Sequence, residues 1–195
     1  MPHLKFDMSK LEKLNDPGRL ESLPPDVFWR AVGEPTDAQV IVEIGAGTGL
    51  FAAEFAARAP EAIVYAADTA EQMLDWMRRH RPEVARGRVV PVAAEETHVP
   101  LGDGIADVVY TINLHHELAD PEATYSEAYR LLKPGGRVLV VDWADRDTPK
   151  GPPRDVRVSS DALAGFLTRA GFGGVTVDSA TLAWHLMAAG RRPPG

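Results

Sequence analysis

Cysteine is absent from the 195 residues. That excludes disulfides, thiolate metal sites and cysteine nucleophiles together, and with them thiol-based handling of arsenic or other soft metals. Basic character is scarce. The 21 Lys and Arg stand against 28 Asp and Glu, for a net charge of -7. No Lys/Arg run forms a basic face, so no nucleic acid is expected as a partner. No apolar run approaches the ~20 residues needed to span a bilayer. The opening Met1-Pro2-His3-Leu4-Lys5-Phe6-Asp7 lacks the apolar core of a signal peptide. The expectation is a cytoplasmic protein with no membrane partner. Internal repeats and low-complexity tracts are missing too.

What is present fits one globular domain: 45% hydrophobic and 25% charged residues. Residues 1–36 are polar and proline-punctuated, and read as an N-terminal helical cover segment. Asp16-Pro17 has the form of an N-cap and first helical proline. Pro24-Pro25-Asp26 opens a helix through Phe28, Trp29 and Val32, closed by Gly33. From Val40 the texture changes. Val40-Ile41-Val42-Glu43-Ile44 is a short β-branched run ending in glycines, as a buried parallel strand would be. Further strands are expected over 62–66, 89–92, 106–112, 137–141, 175–177 and 182–188. Between them run helical patterns. One carries Phe51 and Phe55, and one starts at a Thr69/Gln72 capping box and carries Met73, Leu74, Trp76 and Met77. Another runs from Asp120-Pro121 to Lys133-Pro134-Gly135-Gly136, and the last is capped by Ser160. Strand–helix alternation predicts an α/β fold: a Rossmann-like three-layer sandwich around a mostly parallel seven-stranded sheet. The short link between the last two strands makes them an antiparallel hairpin. Ligands of such sheets bind beyond the carboxyl ends of the strands.

The chemistry-bearing residues fall at those ends. Glu43-Ile44-Gly45-Ala46-Gly47-Thr48-Gly49 closes the first strand. Glycines let the backbone turn sharply and approach a ligand, and the following helix turns N–H groups toward negative charge. The third glycine comes one residue too early for the dinucleotide G-x-G-x-x-G. The loop suits a carboxylate better than a pyrophosphate, with a tight structural turn as the alternative. Asp68 ends the second strand, where a carboxylate can accept from ribose hydroxyls or simply precede a helix cap. Glu95 and Glu96 follow the third strand, where a carboxylate can accept from an exocyclic amine or lie in a solvated loop.

Glu43-x-Gly45-x-Gly47-x-Gly49, Asp68-x-x-x-x-Met73-Leu74, Asp107-Val108-Val109, Leu131-Leu132-Lys133-Pro134-Gly135-Gly136 and Ala170-Gly171-Phe172 together resemble the class I S-adenosylmethionine-dependent methyltransferase family. The resemblance covers about residues 38–190. His3 to Leu14 and Gly151-Pro152-Pro153 resemble more narrowly a small prokaryotic subgroup. The resemblance implies a methyltransferase domain over 37–195 with S-adenosyl-L-methionine as cofactor and S-adenosyl-L-homocysteine as product. It implies that Gly45, Ala46, Gly47 and Gly49 hold the methionine part, with Glu43 near its amino group. Asp68 would bind the ribose, Thr69 or Gln72 and Met73 would flank the adenine, and Glu95 would face the adenine amine with backbone help from Glu96. Where the family most often has aspartate, this chain has Glu95. Thr111, Ile112 and Asn113 would line the methionyl and sulfonium region.

Leu114-His115-His116-Glu117-Leu118 then lies where the family places its substrate. Methyl transfer needs alignment of the acceptor, and a base where the acceptor carries a proton. His116 and Glu117 are the candidates; a solvated or helix-capping pair is the other reading. The H-H-E spacing is not that of helical zinc sites, so no metal is expected. Asp142-Trp143 also reach the pocket side. The polar loop 144–159 belongs to the acceptor site or is a surface excursion. Phe6, Leu11 and Leu14 cover the cofactor or pack as an ordinary helix. A small-molecule acceptor on a monomer or homodimer is expected. There is no Asn-Pro-Pro-Tyr motif, which argues against methylation of nucleic-acid adenine. The competing functions are a nucleotide-cofactor (NAD-type) oxidoreductase and a non-catalytic S-adenosylmethionine-binding protein.

Overall fold

The computed structural model describes residues 11–195. Among them, seven strands form one sheet: β1 (Val40–Ile44), β2 (Ile63–Asp68), β3 (Val89–Ala93), β4 (Ala106–Ile112), β5 (Leu132–Trp143), β6 (Gly173–Asp178) and β7 (His185–Arg191). Their order is β3-β2-β1-β4-β5-β7-β6. The first five run parallel, and β7 runs antiparallel to both β5 and β6. The expected α/β sheet and its antiparallel hairpin are both present. The hairpin inserts its second strand beside β5, leaving β6 at the edge. The order reverses between β1 and β4, and that switch point is where open α/β sheets place their ligands.

Helices cover both faces: α1 (Leu11–Leu14), α2 (Gly18–Ser22), α3 (Pro25–Ala31), α4 (Leu50–Arg58), α5 (Glu71–His80), α6 (Pro82–Ala85), α7 (Pro121–Leu131) and α8 (Ser160–Arg169). Side chains alternate across each strand, so adjacent residues serve opposite cores. Ile41, Val108, Leu139 and Val141 meet Phe28, Phe51, Phe55, Leu74 and Met77 on one face. Val42, Val109, Val138 and Val140 meet Tyr125, Leu131, Leu163 and Leu167 on the other. Each such side chain stabilises by about 1.5–3 kcal/mol when fully buried. Phe28, Trp29 and Val32 lie in the first core. The cover segment is therefore partly built into the domain rather than laid over it. Phe6, and His3 to Lys10 of the subgroup resemblance, lie outside the described residues.

Several local expectations shift. The Thr69/Gln72 capping box does not form. Helix α5 starts at Glu71, its N-cap Ala70 has no side-chain cap, and the Asp68 carboxylate takes the Ala70 N–H instead. Asp16 accepts from Gly18 N, so α2 starts one residue past Pro17. Ser159, not Ser160, caps α8 by accepting from Ala162 N. Strand β5 begins at Leu132, which pairs with Ala106; the chain then bulges through Lys133-Pro134-Gly135-Gly136, with Gly135 at a φ of 83°, and pairing with β4 resumes at Arg137. Asp120 caps α7 through Ala123 N, with Pro121 in its first turn, as its sequence dictates. Among the described residues, no helix is long and apolar enough to cross a membrane.

Candidate active site

The loop after β1 is shaped by left-handed backbone. Gly45, Gly47 and Gly49 have φ of 76°, 55° and 70°, a region that residues with a Cβ avoid. The three glycines face different neighbours. A Cβ on Gly45 would lie 2.6 Å from Leu114 Cδ1, and one on Gly49 would lie 2.6 Å from Met77 Sδ. These two keep the loop pressed onto the turn after β4 and onto α5. A Cβ on Gly47 would meet only Leu14, at 3.4 Å. Gly47 is thus the open position of the loop, and Leu14 of α1 stands over it. Arg81 ties the same corner together: its Nε donates to Thr48 O at 2.7 Å and its guanidinium to Asn15 Oδ1 at 2.7 Å.

Asp68 stands beside this loop at the end of β2. Its Oδ2 accepts from Gly47 N at 2.7 Å and its Oδ1 from Ala70 N at 2.9 Å. Burial raises the Asp68 pKa against these backbone bonds. Deeper in, Glu43 is 1% exposed and accepts from Tyr110 Oη at 3.0 Å. Its pKa is pushed up to about 8 by burial, against the Tyr110 hydrogen bond and the charge of Arg19. Tyr110 itself stacks on Phe55 at 4.0 Å. Three buried polar atoms here have no partner: Thr48 Oγ1, Thr111 Oγ1 and Asn113 Oδ1. An unpaired buried polar group costs about 1–3 kcal/mol. Three at one sheet switch point fit a polar ligand such as an amino-acid carboxylate and amine. Asn113 also holds a φ of 58°, the left-handed region that asparagine enters more readily than other residues with a Cβ.

The expected adenine side is looser. Thr69, Gln72, Glu95 and Glu96 are exposed, and Met73 is buried. Glu96 is engaged elsewhere, with Oε1 accepting from Ala119 N at 2.6 Å just ahead of α7. Glu95 pairs through its backbone with His98.

At the ends of β4 and β5 lies a histidine cluster. His115, His116 and Glu117 form a short 3-10 turn. His116 Nδ1 lies 2.9 Å from Asp142 Oδ1, and its Nε2 lies 3.8 Å from Glu117 Oε1. His115 is turned the other way, into Tyr125 Oη at 2.6 Å, and stacks on that ring. His185, at the start of β7, lies 4.2 Å from the Trp143 ring, and its Nε2 is buried without a partner. Burial lowers the His185 pKa to about 4, so it is neutral at pH 7. Trp143 is also faced by Trp184 and by the Arg157 guanidinium. Arg157 binds Pro152 O, Arg146 O and Thr148 Oγ1, which ties the 144–159 loop to itself, with the guanidinium over Trp143. The structure thus brings Glu43, the glycine loop, Asp68, Thr111, Asn113 and His116 to one end of the sheet. The roles of Asp142 as partner of His116, and of Tyr110 and His185, carry no sequence motif. Their only advance signal is position at or near a strand end.

The chain matches the family model described as a methyltransferase domain over residues 42–140, about half its length. It is 34% identical over 148 residues to a ubiquinone/menaquinone biosynthesis C-methyltransferase UbiE of Dinoroseobacter shibae, covering 72% of this chain and 57% of that protein. It is 36% identical over 138 residues to a demethylmenaquinone methyltransferase of Thermus thermophilus, covering 68% and 61%. The matches thus span less than two thirds of these relatives' own length. Among solved structures, a SAM dependent methyltransferase from Aquifex aeolicus superposes with a TM-score of 0.85 at 26% identity, covering 96% of this chain and all of that one. The motifs, the sheet order and these likenesses agree, and the chain belongs to the class I S-adenosylmethionine-dependent methyltransferases.

Proposed function

We propose that this methyltransferase acts on a small-molecule acceptor, held beyond β4 and β5, with His116 taking the acceptor's proton. The observation that carries this reading is the placement of His116: 12% exposed at its side chain, at the carboxyl end of β4, with one ring nitrogen held by Asp142. When bound, S-adenosylmethionine supplies an electrophilic methyl group on a sulfonium. The buried, unpartnered Thr48, Thr111 and Asn113 oxygens and the open Gly47 backbone fit its amino-acid end. In this reading Asp68 accepts from its ribose and Glu43 meets its amino group. The chain's own work is to seat the acceptor in line, hold water out and accept a proton.

The first acceptor class to test is an electron-rich ring of quinone biosynthesis. Two relatives are named for such substrates, and Trp143, stacked with Trp184, follows directly on Asp142, the partner of His116. Neither alternative expectation, the NAD-type oxidoreductase or the non-catalytic binder, gains support from the site or the relatives. The test is turnover of S-adenosylmethionine with a demethylmenaquinol analogue and a panel of phenols, in wild type and His116→Ala. A positioned base contributes about 10²–10⁴-fold. The variant should lose that much turnover while binding S-adenosylhomocysteine normally. Normal turnover with weakened cofactor binding would place His116 in the cofactor shell instead.

A further inference from the structure

Asp142 is the last buried residue of β5, with no exposed surface. Two N–H donors and one ring nitrogen converge on it. His115 N donates to Oδ2 at 2.7 Å, Trp143 N donates to Oδ1 at 2.7 Å, and His116 Nδ1 lies 2.9 Å from Oδ1. Two of these are backbone amides, which can only donate. An ionised carboxylate is acceptor-only, and its bond to His116 then requires the hydrogen on Nδ1. The backbone amides of His115 and Trp143 hold the carboxylate still, and the carboxylate holds the ring.

We propose that Asp142 is a positioning residue of the site: it fixes neutral His116 as the Nδ1–H tautomer and leaves the Nε2 lone pair for the acceptor. The inference rests on the reading of His116 given above and adds what makes that ring competent. In the transfer, the acceptor's bond to hydrogen breaks and the proton goes to Nε2. The freed pair forms the bond to the methyl carbon, and the pair of the broken carbon–sulfur bond stays on sulfur. The imidazolium then lies against a buried anion that is already in place, so little has to move as charge appears. Asp142 touches neither acceptor nor cofactor in this scheme.

The surroundings of His116 agree. Burial opposes its charged form, yet the Asp142 hydrogen bond and charge, with the charge of Glu117, lift its pKa above the ordinary value. Arg157 from the 144–159 loop opposes that lift. The other titratable neighbours are His115 on the same turn and His185 from β7, both with pKa values lowered by burial. A purely structural strand-end carboxylate would anchor the two backbone amides and leave the ring nitrogen elsewhere.

The test needs no acceptor. Two-bond proton–nitrogen spectra of the ¹⁵N-labelled full chain report each imidazole's tautomer and pKa, and His116→Gln identifies the signal. Wild-type His116 should be the Nδ1–H form when neutral. In Asp142→Asn, which offers one oxygen to three donors and no charge, its pKa should fall by about one unit or more. The Nδ1–H form should lose its dominance there. A dominant Nε2–H form in wild type, or an unchanged His116 pKa in folded Asp142→Asn, would overturn the assignment. If that variant does not fold, the wild-type spectrum decides alone. Failure of the methyl-transfer reading would show in turnover and leave this spectrum unaltered, so the two ideas fail separately.

Discussion

The carboxylate of Asp68 holds the amide of Gly47 at 2.7 Å, joining the end of β2 to the open glycine of the β1 loop. One side chain therefore holds the loop and the start of α5 together. An ionised carboxylate has about four lone-pair positions, and the bonds to Gly47 and Ala70 take two, leaving room for ribose hydroxyls. Asp68→Ala should weaken S-adenosylhomocysteine binding by about 1–3 kcal/mol. It should also loosen the loop, seen as faster hydrogen exchange at Gly47 N. Unchanged affinity by calorimetry would remove Asp68 from the ribose role.

The glycines of that loop should respond unequally to a methyl group. Gly47 has space for a Cβ beside Leu14, whereas Gly45 does not, because Leu114 would lie 2.6 Å away. Gly47→Ala should lose about 1–2 kcal/mol from its left-handed backbone, stay folded and bind S-adenosylhomocysteine at least tenfold more weakly. Gly45→Ala carries the same strain plus the clash, and should be clearly the less stable of the two in thermal melts. Equal melts would mean that Leu114 yields freely. Full binding by Gly47→Ala would mean the ligand does not approach that backbone.

The layered sheet and its switch point were legible because buried parallel strands write themselves as β-branched runs and their ends as glycine or acid. The candidate cofactor residues were legible for the same reason: Glu43, Asp68 and Asn113 each sit at or near a strand end. Partnerships were not. Nothing local ties Asp142 to His116, 26 residues earlier. Their meeting depends on β4 and β5 being neighbours in register, with Ile112 opposite Val141. His185 reaches the site only because β7 inserts antiparallel beside β5 and sets it opposite Trp143. The Thr69/Gln72 capping box failed because Asp68 competes for the same helix start. The Asp68 carboxylate takes the Ala70 amide, and the helix begins two residues after Thr69.

Glu43 gives a pH signature of known sign. Its folded pKa is about 8, against about 4.5 for the same carboxyl free in water. A raised folded pKa means that folding takes up a proton between those values. The stability so contributed is complete below about pH 4.5 and is lost as pH rises through 8. Glu43→Gln keeps an acceptor for the Tyr110 hydroxyl and cannot ionise. In urea melts from pH 5 to 9, wild type should lose stability relative to this variant as pH rises. Because a cationic amino group favours the ionised carboxyl, S-adenosylhomocysteine should bind wild type more tightly at pH 8 than at pH 6, with proton release. Parallel stability curves for the two proteins would show that burial does not hold Glu43 protonated.

Asn113 separates function from stability most cleanly. It adopts a φ of 58° at the end of β4, and its Oδ1 is buried with no partner. Both features burden the ligand-free protein: left-handed backbone is less favourable for asparagine than for glycine, though better tolerated than by most residues, and an unpaired buried oxygen adds about 1–3 kcal/mol. Its backbone amide is spoken for, donating to Val141 O at 2.8 Å, so the turn itself is anchored without the side chain. Glycine accepts that φ at no steric cost and brings no orphaned oxygen. Asn113→Gly should therefore leave the melting temperature unchanged or raise it, the added freedom of the unfolded glycine offsetting part of the gain. If the amide is kept for the cofactor's amino-acid end, the same variant should bind S-adenosylhomocysteine about tenfold more weakly. Strain retained with no loss on its removal is the pattern of a residue held for a ligand. A variant that binds normally, or that is destabilised by more than about 1 kcal/mol, would instead make Asn113 an ordinary part of the β4 turn.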